Sequence, residues 1–394
     1  MIKTLKYIVR SIEIYFRYFL SIIFRIFPIN PKKIVVCSYF GNDYGDGAKY
    51  IIDELLDDDK YTIVWALKKN LMKNNHLPKN VKPVKYNSLA MLFELSTAKI
   101  WIDNARKVIF PLKRKNQFYF QIWHGPISFK TIELDTQETL TKIYIKKLLI
   151  DNKNIDYMVS GSKWTNEKCR SAFGYTGKIM ECGNPRNDIL FQSDSYKEIN
   201  KKVHSFFNIP DNKKIILYAP TFRNSREIDI YQWDYNLIMN NFCKKFKEDY
   251  VFLVRLHPNI VDQAEKMNNY GGNILNATIY PDMQELLIAS DILITDYSSS
   301  MFDFGMINKK CFLYAPDVDD YLKERHFYFD IRKLPFSLSQ NIDDFVKNIS
   351  SFDSKDYQKK LDTFYKKIGI FETGHSSESI ANRIKEICDK NEKK

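Results

Sequence analysis

The sequence predicts an α/β protein made of two halves, each a doubly wound parallel sheet, and three observations support this. Apolar stretches typical of buried strands alternate with segments of helical spacing. A polar, charged stretch near residues 190–212 interrupts the alternation, and a second set of strands follows it. Strands that alternate with helices indicate a parallel sheet covered on both faces. Because ligands bind beyond the carboxyl ends of such strands, two facing halves would enclose a central cleft.

The first half begins after Pro28 and Pro31, where the alternation starts. Two of its segments have apolar residues at helical spacing, 48–56 and 88–98, and a glycine-rich turn at 41–47 precedes the first of them. The predicted strands are the apolar runs at 33–40, 61–67, 99–104, 118–125, 155–162 and 178–190.

The second half repeats the pattern after the polar stretch, which is itself helical in part. Its predicted strands are 215–223, 250–259, 273–282, 291–300 and 310–317. Asp282 and Glu285 have the spacing of a capping box, which predicts a short helix ending near Ser290. The serines that follow the strand at 291–295 are expected to begin another helix.

These patterns give four segments. The predicted boundaries are 1–30 for an amphipathic helix, 31–190 for the first domain, 191–212 for a linker region and 213–394 for the second domain with C-terminal helices.

The amino-terminal segment is basic and aromatic but too often interrupted to span a bilayer. Its longest charge-free run, Tyr18–Phe24, is far shorter than the roughly 20 apolar residues that a spanning helix needs. Residues 1–35 carry seven basic residues and one acidic residue, half of the net charge of +12. Such a helix suits the headgroup region of an anionic leaflet, so we expect peripheral membrane association. The alternative is a helix packed on the protein's own surface.

A second basic zone, Arg106 to Lys147, has nine basic and three acidic residues. A basic protein can bind nucleic acid, anionic lipid or a phosphorylated substrate. No zinc-finger, RRM or KH signature is present, so nucleic acid is not expected as a partner. Six scattered cysteines without a CxxC pair fit a reducing compartment, and no cluster has metal-ligand spacing.

Functional side chains are expected where the strands end. A histidine, His124, ends the strand at 118–125, and three arginines also follow apolar strands: Arg186, Arg223 and Arg255. Guanidinium groups at such places suit bidentate phosphate binding, although each could instead form a structural ion pair. Hydroxyls and amides at the helix start near Ser298 suit phosphate as well, or act as ordinary caps.

An ordered set of motifs resembles the CDP-glycerol glycerophosphotransferase family, the teichoic-acid primases and polymerases of Gram-positive bacteria. The motifs are WHG (123–125), GNPRND (183–188), APTFR (219–223), RLHP (255–258), DYSS (296–299) with MFDF (301–304), and an acidic-aromatic segment at 317–330. The resemblance covers about 33–379. It implies a GT-B-like fold of two Rossmann-like halves. It also implies transfer of glycerol or ribitol phosphate from a CDP-alditol to a lipid-linked saccharide or polymer acceptor, at the cytoplasmic membrane face.

The resemblance assigns roles to particular residues. His124 becomes the general base on the acceptor side, with Gly41 and Gly125 beside it, and His257 contacts the donor diphosphate or the leaving CMP. The expected donor-binding residues are Asn184, Arg186, Thr221, Arg223, Arg255, Ser298, Ser299 and Arg325. No cofactor is firmly implied, and Mg²⁺ bound through substrate phosphates stays open.

The sequence departs from the family pattern in two places. Relatives commonly have a small residue and Pro-Leu-Lys after WHG, whereas this chain has Pro126 to Lys130, which places the departure on the acceptor side. The usual Asp-Gly pair near the C-terminus appears as Glu372 and Gly374, separated by Thr373, in a loop expected on the donor side.

Two other functions compete with the favoured one. A GT-B glycosyltransferase using a nucleotide sugar would also hold phosphates with basic residues, since a fold does not fix a function. A catalytically inert membrane scaffold in a polymer-export complex would need only the amino-terminal helix, but then both histidine motifs would be unused.

Overall fold

The computed structural model describes residues 16–42, 44–73, 77–107, 113–223, 228–257, 260–264, 267 and 270–390. These residues divide into two compact units. The first contains the described residues of 16–126, 133–188 and 371–390, and the second contains 127–132 and those of 189–370.

This division differs from the predicted boundaries in three respects. The C-terminal residues from Phe371 belong to the first unit, because the last helix buries Ile380 and Ile384 in the first core. The short segment 127–132 belongs to the second unit. Most of the predicted linker is a helix of the second unit, and the predicted helix at 1–30 is described only from residue 16.

The first unit has a seven-stranded sheet in the order β3-β2-β1-β4-β5-β6-β7, in which every pair is parallel. Its strands are β1 (Asn30–Cys37), β2 (Thr62–Leu67), β3 (Val81–Lys85), β4 (Ala98–Asp103), β5 (Phe118–Gln121), β6 (Tyr157–Ser160) and β7 (Lys178–Glu181). Its helices are α1 (described over 16–23), α2 (Asp46–Asp53), α3 (Leu89–Thr97), α4 (Lys142–Asn154) and α5 (Lys163–Ser171), with the C-terminal helix added to them.

Local sequence explains where these helices begin. Ser88, Thr141 and Ser162 are the N-cap residues of α3, α4 and α5, and each side chain accepts a hydrogen bond from a backbone N–H in the first turn. Strands β2 and β4 are mainly apolar and almost fully buried because both faces of the sheet are covered there.

The second unit has a six-stranded parallel sheet in the order β10-β9-β8-β11-β12-β13. Its strands are β8 (Lys214–Tyr218), β9 (Tyr250–Val254), β10 (Ile274–Asn276), β11 (Ile292–Thr295), β12 (Lys310–Tyr314) and β13 (Ser337–Ser339). Its helices are α6 (Tyr196–Phe207), α7 (Tyr235–Phe246), α8 (Val261–Ala264), α9 (Met283–Ala289), α10 (Ser300–Met306), α11 (Val318–Glu324), α12 (Ile342–Ser350) and α13 (Ser354–Ile368); α14 (Ser376–Asp389) belongs to the first unit.

The two predicted helix starts of the second unit are confirmed. The Asp282 carboxylate accepts hydrogen bonds from the N–H groups of Gln284 and Glu285 at the start of α9. Helix α10 begins at Ser300, directly after Ser299.

Both sheets have the doubly wound strand order, so each has a point where the order reverses. In the first unit this point lies between β1 and β4, and in the second between β8 and β11. Ligands of open α/β sheets bind beyond the carboxyl ends of the strands at this point. The predicted fold class is therefore confirmed at the level of two doubly wound parallel sheets.

Candidate active-site residues

In the first unit, the loop after β1 has an unusual backbone. Tyr39, Phe40 and Gly41 all have positive φ angles, of 42°, 58° and 77°. Only glycine adopts such angles without cost, so two non-glycine residues in succession indicate strain that the surroundings must maintain. A Cβ atom on Gly41 would lie 2.7 Å from Cβ of Tyr86, which leaves room only for glycine.

His124 lies just beyond β5, and it reaches back to the reversal point between β1 and β4. Its Nδ1 lies 2.9 Å from the carbonyl oxygen of Asn104, the residue after β4. Its ring stacks on Trp123, with 4.2 Å between ring centroids, and lies 5.8 Å from the ring of Tyr39. The imidazole is therefore held on three sides.

The Asn104 carbonyl also determines the tautomer of His124. A carbonyl oxygen can only accept, so Nδ1 must carry the proton and donate it. In the neutral ring Nε2 then carries the lone pair and can accept a proton. Burial lowers the pKa of His124, and the Arg186 charge adds to this, whereas the Asn104 carbonyl and Asp46 oppose it. The ring is therefore largely neutral at pH 7, as a general base must be.

A polar network surrounds this histidine within the first unit. Arg186 donates to the His124 carbonyl at 3.1 Å and lies 3.7 Å from the Asp46 carboxylate. Asp46 accepts a hydrogen bond of 2.6 Å from the Asn104 side chain, whose oxygen in turn accepts from the Tyr39 N–H at 2.8 Å. The network ties the strained loop, the end of β4 and the WHG motif together.

Asn184 and Arg186 were predicted to bind the donor with the second-half arginines, but both lie in the first unit. The Asn184 side chain accepts a hydrogen bond from the Arg186 N–H, and the Asn184 N–H donates to both oxygens of the Glu372 carboxylate at 3.0 Å. Glu372 thus holds this turn within the first unit, although its loop was expected on the donor side.

Gly125, predicted on the acceptor side, also lies in the first unit, where it lets Arg186 approach His124. Its φ is 134°, and a Cβ atom there would lie 2.9 Å from a guanidinium nitrogen of Arg186. Any larger residue would displace the arginine.

The remaining predicted donor-binding residues and His257 all lie in the second unit. Residues 221–223 follow β8, residues 255–257 follow β9, and residues 296–299 follow β11; these three strands are neighbours in the sheet. Arg325 is the residue directly after α11. Apart from Arg325, this set thus follows the carboxyl ends of three neighbouring strands, as the sequence predicted.

Arg223 differs from its predicted role as a phosphate ligand. Its guanidinium is buried and contacts two carboxylates, Asp317 at 2.7 and 3.0 Å and Asp296 at 2.9 Å. A third contact, 2.6 Å long, goes to the Thr221 carbonyl. These contacts engage all three guanidinium nitrogens, and the two carboxylates outweigh its single positive charge by one negative charge. They are the contacts of the alternative that the sequence left open, a structural ion pair that positions the loops around it.

His257 and Arg255 stay near the edge of the second sheet. His257 is exposed, and partial desolvation together with the positive charges of Lys130 and Arg255 lowers its pKa. Arg255 donates to the Tyr280 carbonyl. The Ser298 hydroxyl accepts a hydrogen bond from the Ser300 N–H, and Ser299 makes no side-chain cap contact to α10.

Three contributors were missed by sequence reasoning. Asn104 and Asp46 position His124, and Lys130, six residues after His124, lies in the second unit beside His257. The position of Asn104 at a strand end was a usable signal, whereas nothing local marks Asp46 or Lys130. Within the described part of the chain, no three His, Cys, Asp or Glu side chains are grouped as around a metal ion.

Comparison with known proteins identifies the family. The chain matches the family described as CDP-Glycerol:Poly(glycerophosphate) glycerophosphotransferase over residues 19–386. It is 32% identical to a teichoic acid poly(glycerol phosphate) polymerase of Staphylococcus epidermidis, covering 90% of this chain and 51% of that protein. It is 30% identical to a teichoic acid glycerol-phosphate transferase of Staphylococcus aureus, covering 90% and 93%.

Its structure is similar to that of a variant of the wall teichoic acid polymerase TagF soaked with CDPG, with a TM-score of 0.83, 28% identity and 99% coverage of both chains. The chain spans about half the length of the Staphylococcus epidermidis relative. The predicted family and the predicted GT-B-like, two-sheet fold are both confirmed by these matches, and the chain belongs to the CDP-glycerol:poly(glycerophosphate) glycerophosphotransferase family.

Proposed function

We propose that this protein transfers glycerol phosphate from CDP-glycerol to a hydroxyl group of a membrane-linked saccharide or polymer acceptor and releases CMP. The product is a teichoic acid or a related surface polymer. Family membership supports this, as does the relatives' naming for glycerol phosphate transfer and polymerisation. The observation that carries the proposal is His124, whose Nδ1 is fixed as a donor to Asn104 so that Nε2 can accept a proton.

The reaction makes and breaks one bond at phosphorus. The acceptor oxygen attacks the β-phosphorus of CDP-glycerol, and the bond from that phosphorus to the bridging oxygen breaks. CMP leaves with the bridging oxygen, and Nε2 of His124 takes the hydroxyl proton. Cationic groups near the diphosphate would stabilise the charge that develops on the leaving phosphate, a role that suits Arg255 and Arg325. His257, whose pKa is lowered, would instead donate a hydrogen bond from its neutral ring.

A donor panel tests this function. Purified protein is incubated with a lipid-linked acceptor and with CDP-glycerol, CDP-ribitol or UDP-sugars, and the released nucleotide is measured. We expect CMP release from CDP-glycerol to exceed release from the other donors. Turnover of a UDP-sugar instead would identify a glycosyltransferase, and no turnover of any donor would favour an inert scaffold.

The pH dependence of kcat/KM should reflect the protonation of His124. Because its pKa is lowered from the ordinary value of 6.5, the neutral base is fully present at pH 7, and activity should fall only below pH 6.5. The Asp46→Asn substitution removes a negative charge that raises this pKa, so the acidic limb should move to lower pH. Asp53→Asn, an exposed carboxylate on the same helix, serves as the control. An unmoved limb in Asp46→Asn would contradict the assignment of the limb to His124.

We further propose that the first unit associates peripherally with the cytoplasmic face of an anionic membrane. The segment 16–27, made of α1 and the turn that follows it, packs on α3 through Phe24 and Phe27, which contact Phe93 edge-on at 5.4 and 5.2 Å. It still exposes Phe19 and Ile26, at 57% and 76% of their full accessibility. The two alternatives raised by the sequence are thus compatible, because one side of the segment 16–27 packs on the protein while Phe19 and Ile26 stay exposed and could contact lipid.

Helix α4 of the same unit adds a second apolar and basic surface. Ile143, Leu149 and Ile150 are exposed, and four lysines lie among them: Lys142, Lys146, Lys147 and Lys153. Each basic residue near an anionic surface contributes about 1 kcal/mol to binding. No helix in the described residues is long and apolar enough to cross a bilayer.

Membrane binding can be tested by sedimentation with anionic liposomes. Deletion of residues 1–28, or the double substitution of Phe19 and Ile26 by Glu, should release protein from the liposomes. It should also slow transfer to lipid-linked acceptors while sparing a short soluble acceptor. Ile279→Glu is the control, because Ile279 is 65% exposed in the second unit. Undiminished sedimentation of the deletion variant would show that the anchor lies elsewhere.

A further inference from the structure

Lys130 belongs to the second unit although it follows the WHG motif of the first unit by only six residues. Its backbone forms an antiparallel bridge with Phe327, and the next residue, Thr131, donates from its N–H to the His326 carbonyl at 2.9 Å. Phe129 stacks on Phe327 with 4.2 Å between centroids. This segment is therefore fixed along residues 326–328, beside the predicted donor-binding residues.

The Lys130 ammonium lies over the ring of Tyr321, 5.3 Å from its centroid, and is partly buried. Four titratable groups from the segments after β8, β9, β11 and α11 interact electrostatically with it: Arg223, His257, Asp296 and Arg325. Among the described residues, no carboxylate is in ion-pair contact with this ammonium. Asp296 instead pairs with Arg223 at 2.9 Å and accepts hydrogen bonds from the N–H groups of Thr221 and Tyr297.

This arrangement leaves an excess of positive charge. Arg223, Lys130 and Arg325 together carry three positive charges, one more than the two carboxylates Asp296 and Asp317 balance. The Thr221 hydroxyl is buried and has no hydrogen-bond partner in the described part of the chain. A partly buried ammonium without a counter-ion is costly unless an anion joins it.

We propose that Lys130 binds the diphosphate of the CDP-activated donor. This inference rests on the proposed function and extends it, because the sequence placed the segment after WHG on the acceptor side. An ammonium near His257 and Arg325 would contact the oxygens whose charge grows as CMP leaves. Lys130 would then be a donor-binding residue supplied to the second unit by the segment that follows the general base.

The pKa of Lys130 in the free protein gives a second way to test this role. Burial lowers the pKa of Lys130 to about 8, with Arg223 and Arg325 adding to the effect and Asp296 opposing it. A bound diphosphate would raise this pKa again, so donor binding would take up a proton above pH 8. Affinity for CDP-glycerol should begin to fall near pH 8 and decrease above it by up to about tenfold per pH unit.

The test is equilibrium binding of CDP-glycerol and of cytidine to Lys130→Met, to Lys130→Arg and to the wild-type protein. We expect Lys130→Met to bind CDP-glycerol about 10-fold to 100-fold more weakly and to lose the fall above pH 8. Lys130→Arg should recover most of the affinity. Cytidine, which has no phosphate, should bind all three equally. Lys323→Ala, an exposed lysine on α11, is the control.

The outcomes separate this inference from the proposed function. If the wild-type protein binds no CDP-glycerol, the proposed function fails, and Lys130 fails with it. If the wild-type protein binds the donor and Lys130→Met binds it equally well with the same pH profile, only the role of Lys130 is overturned. Should Lys130→Met fail to fold, the Lys130→Arg variant decides. If its affinity for CDP-glycerol matches that of the wild type below pH 8 and does not fall above pH 8, the proposal is supported. If its affinity falls above pH 8 as in the wild type, the proposal is contradicted.

Discussion

His124→Ala should abolish turnover, lowering the rate by about 10²-fold to 10⁴-fold, while affinity for CDP-glycerol changes little. The reason is that the proposed base and the predicted donor-binding residues compared here belong to different units. His124 is held by Asn104 and Trp123 of the first unit, whereas His257, Arg255 and Arg325 belong to the second. Removal of Nε2 takes away the proton acceptor but no group of the predicted donor set. Initial rates of CMP release and donor affinity would be measured on the same preparation.

Two further variants make this result specific. His124→Gln keeps an amide that can donate to the Asn104 carbonyl but cannot take a proton at neutral pH, so it should be as inactive as the alanine variant. His375→Ala, an exposed histidine at the start of α14, should retain full activity. Partial recovery of the alanine variant by added imidazole would support the base role. Near wild-type turnover of His124→Ala would remove the residue from the mechanism.

Most of the fold could be predicted because its signal is local. Buried strands of a parallel sheet appear as short apolar runs whatever lies far away in sequence. The two strands that were missed, β3 and β13, are edge strands: β3 contains Pro83 and a mainly exposed pattern, and β13 has only three residues. Edge strands need neither apolar faces nor a full set of ladder hydrogen bonds, so their sequences carry little signal.

The candidate site could be predicted only in part, because partners come from distant segments. The strand-end position of Arg223 was visible, but its carboxylate partner Asp317 lies 94 residues later. Lys130 appeared to belong with His124 by sequence, yet its backbone pairs with Phe327. Arg186 follows a strand of the first unit, and its carboxylate partner Asp46 comes from a helix near the start of that unit. A single sequence shows which residue types follow the strands, but it does not show which of these side chains contact one another.

The pairing of Arg223 leads to the second large effect that we expect. Arg223→Met should lower the free energy of unfolding of the second unit by about 3–5 kcal/mol, because it leaves the Asp296 carboxylate buried without its counter-charge. Asp296 is 1% exposed and also anchors the Thr221 and Tyr297 N–H groups, so it cannot move to solvent without breaking both contacts. Urea denaturation followed by tryptophan fluorescence and circular dichroism would measure the loss.

A matched ion pair and a double substitution make this test decisive. Arg332 pairs with Asp319 at 2.7 Å at an exposed site, so Arg332→Met should cost less than about 1 kcal/mol. Adding Asp296→Asn to Arg223→Met should recover part of the lost stability. The buried charge is then gone, and the amide oxygen still accepts from the same N–H groups. If Arg223→Met were as stable as Arg332→Met but bound CDP-glycerol far more weakly, Arg223 would be a phosphate ligand after all, as its position at the end of a strand first suggested.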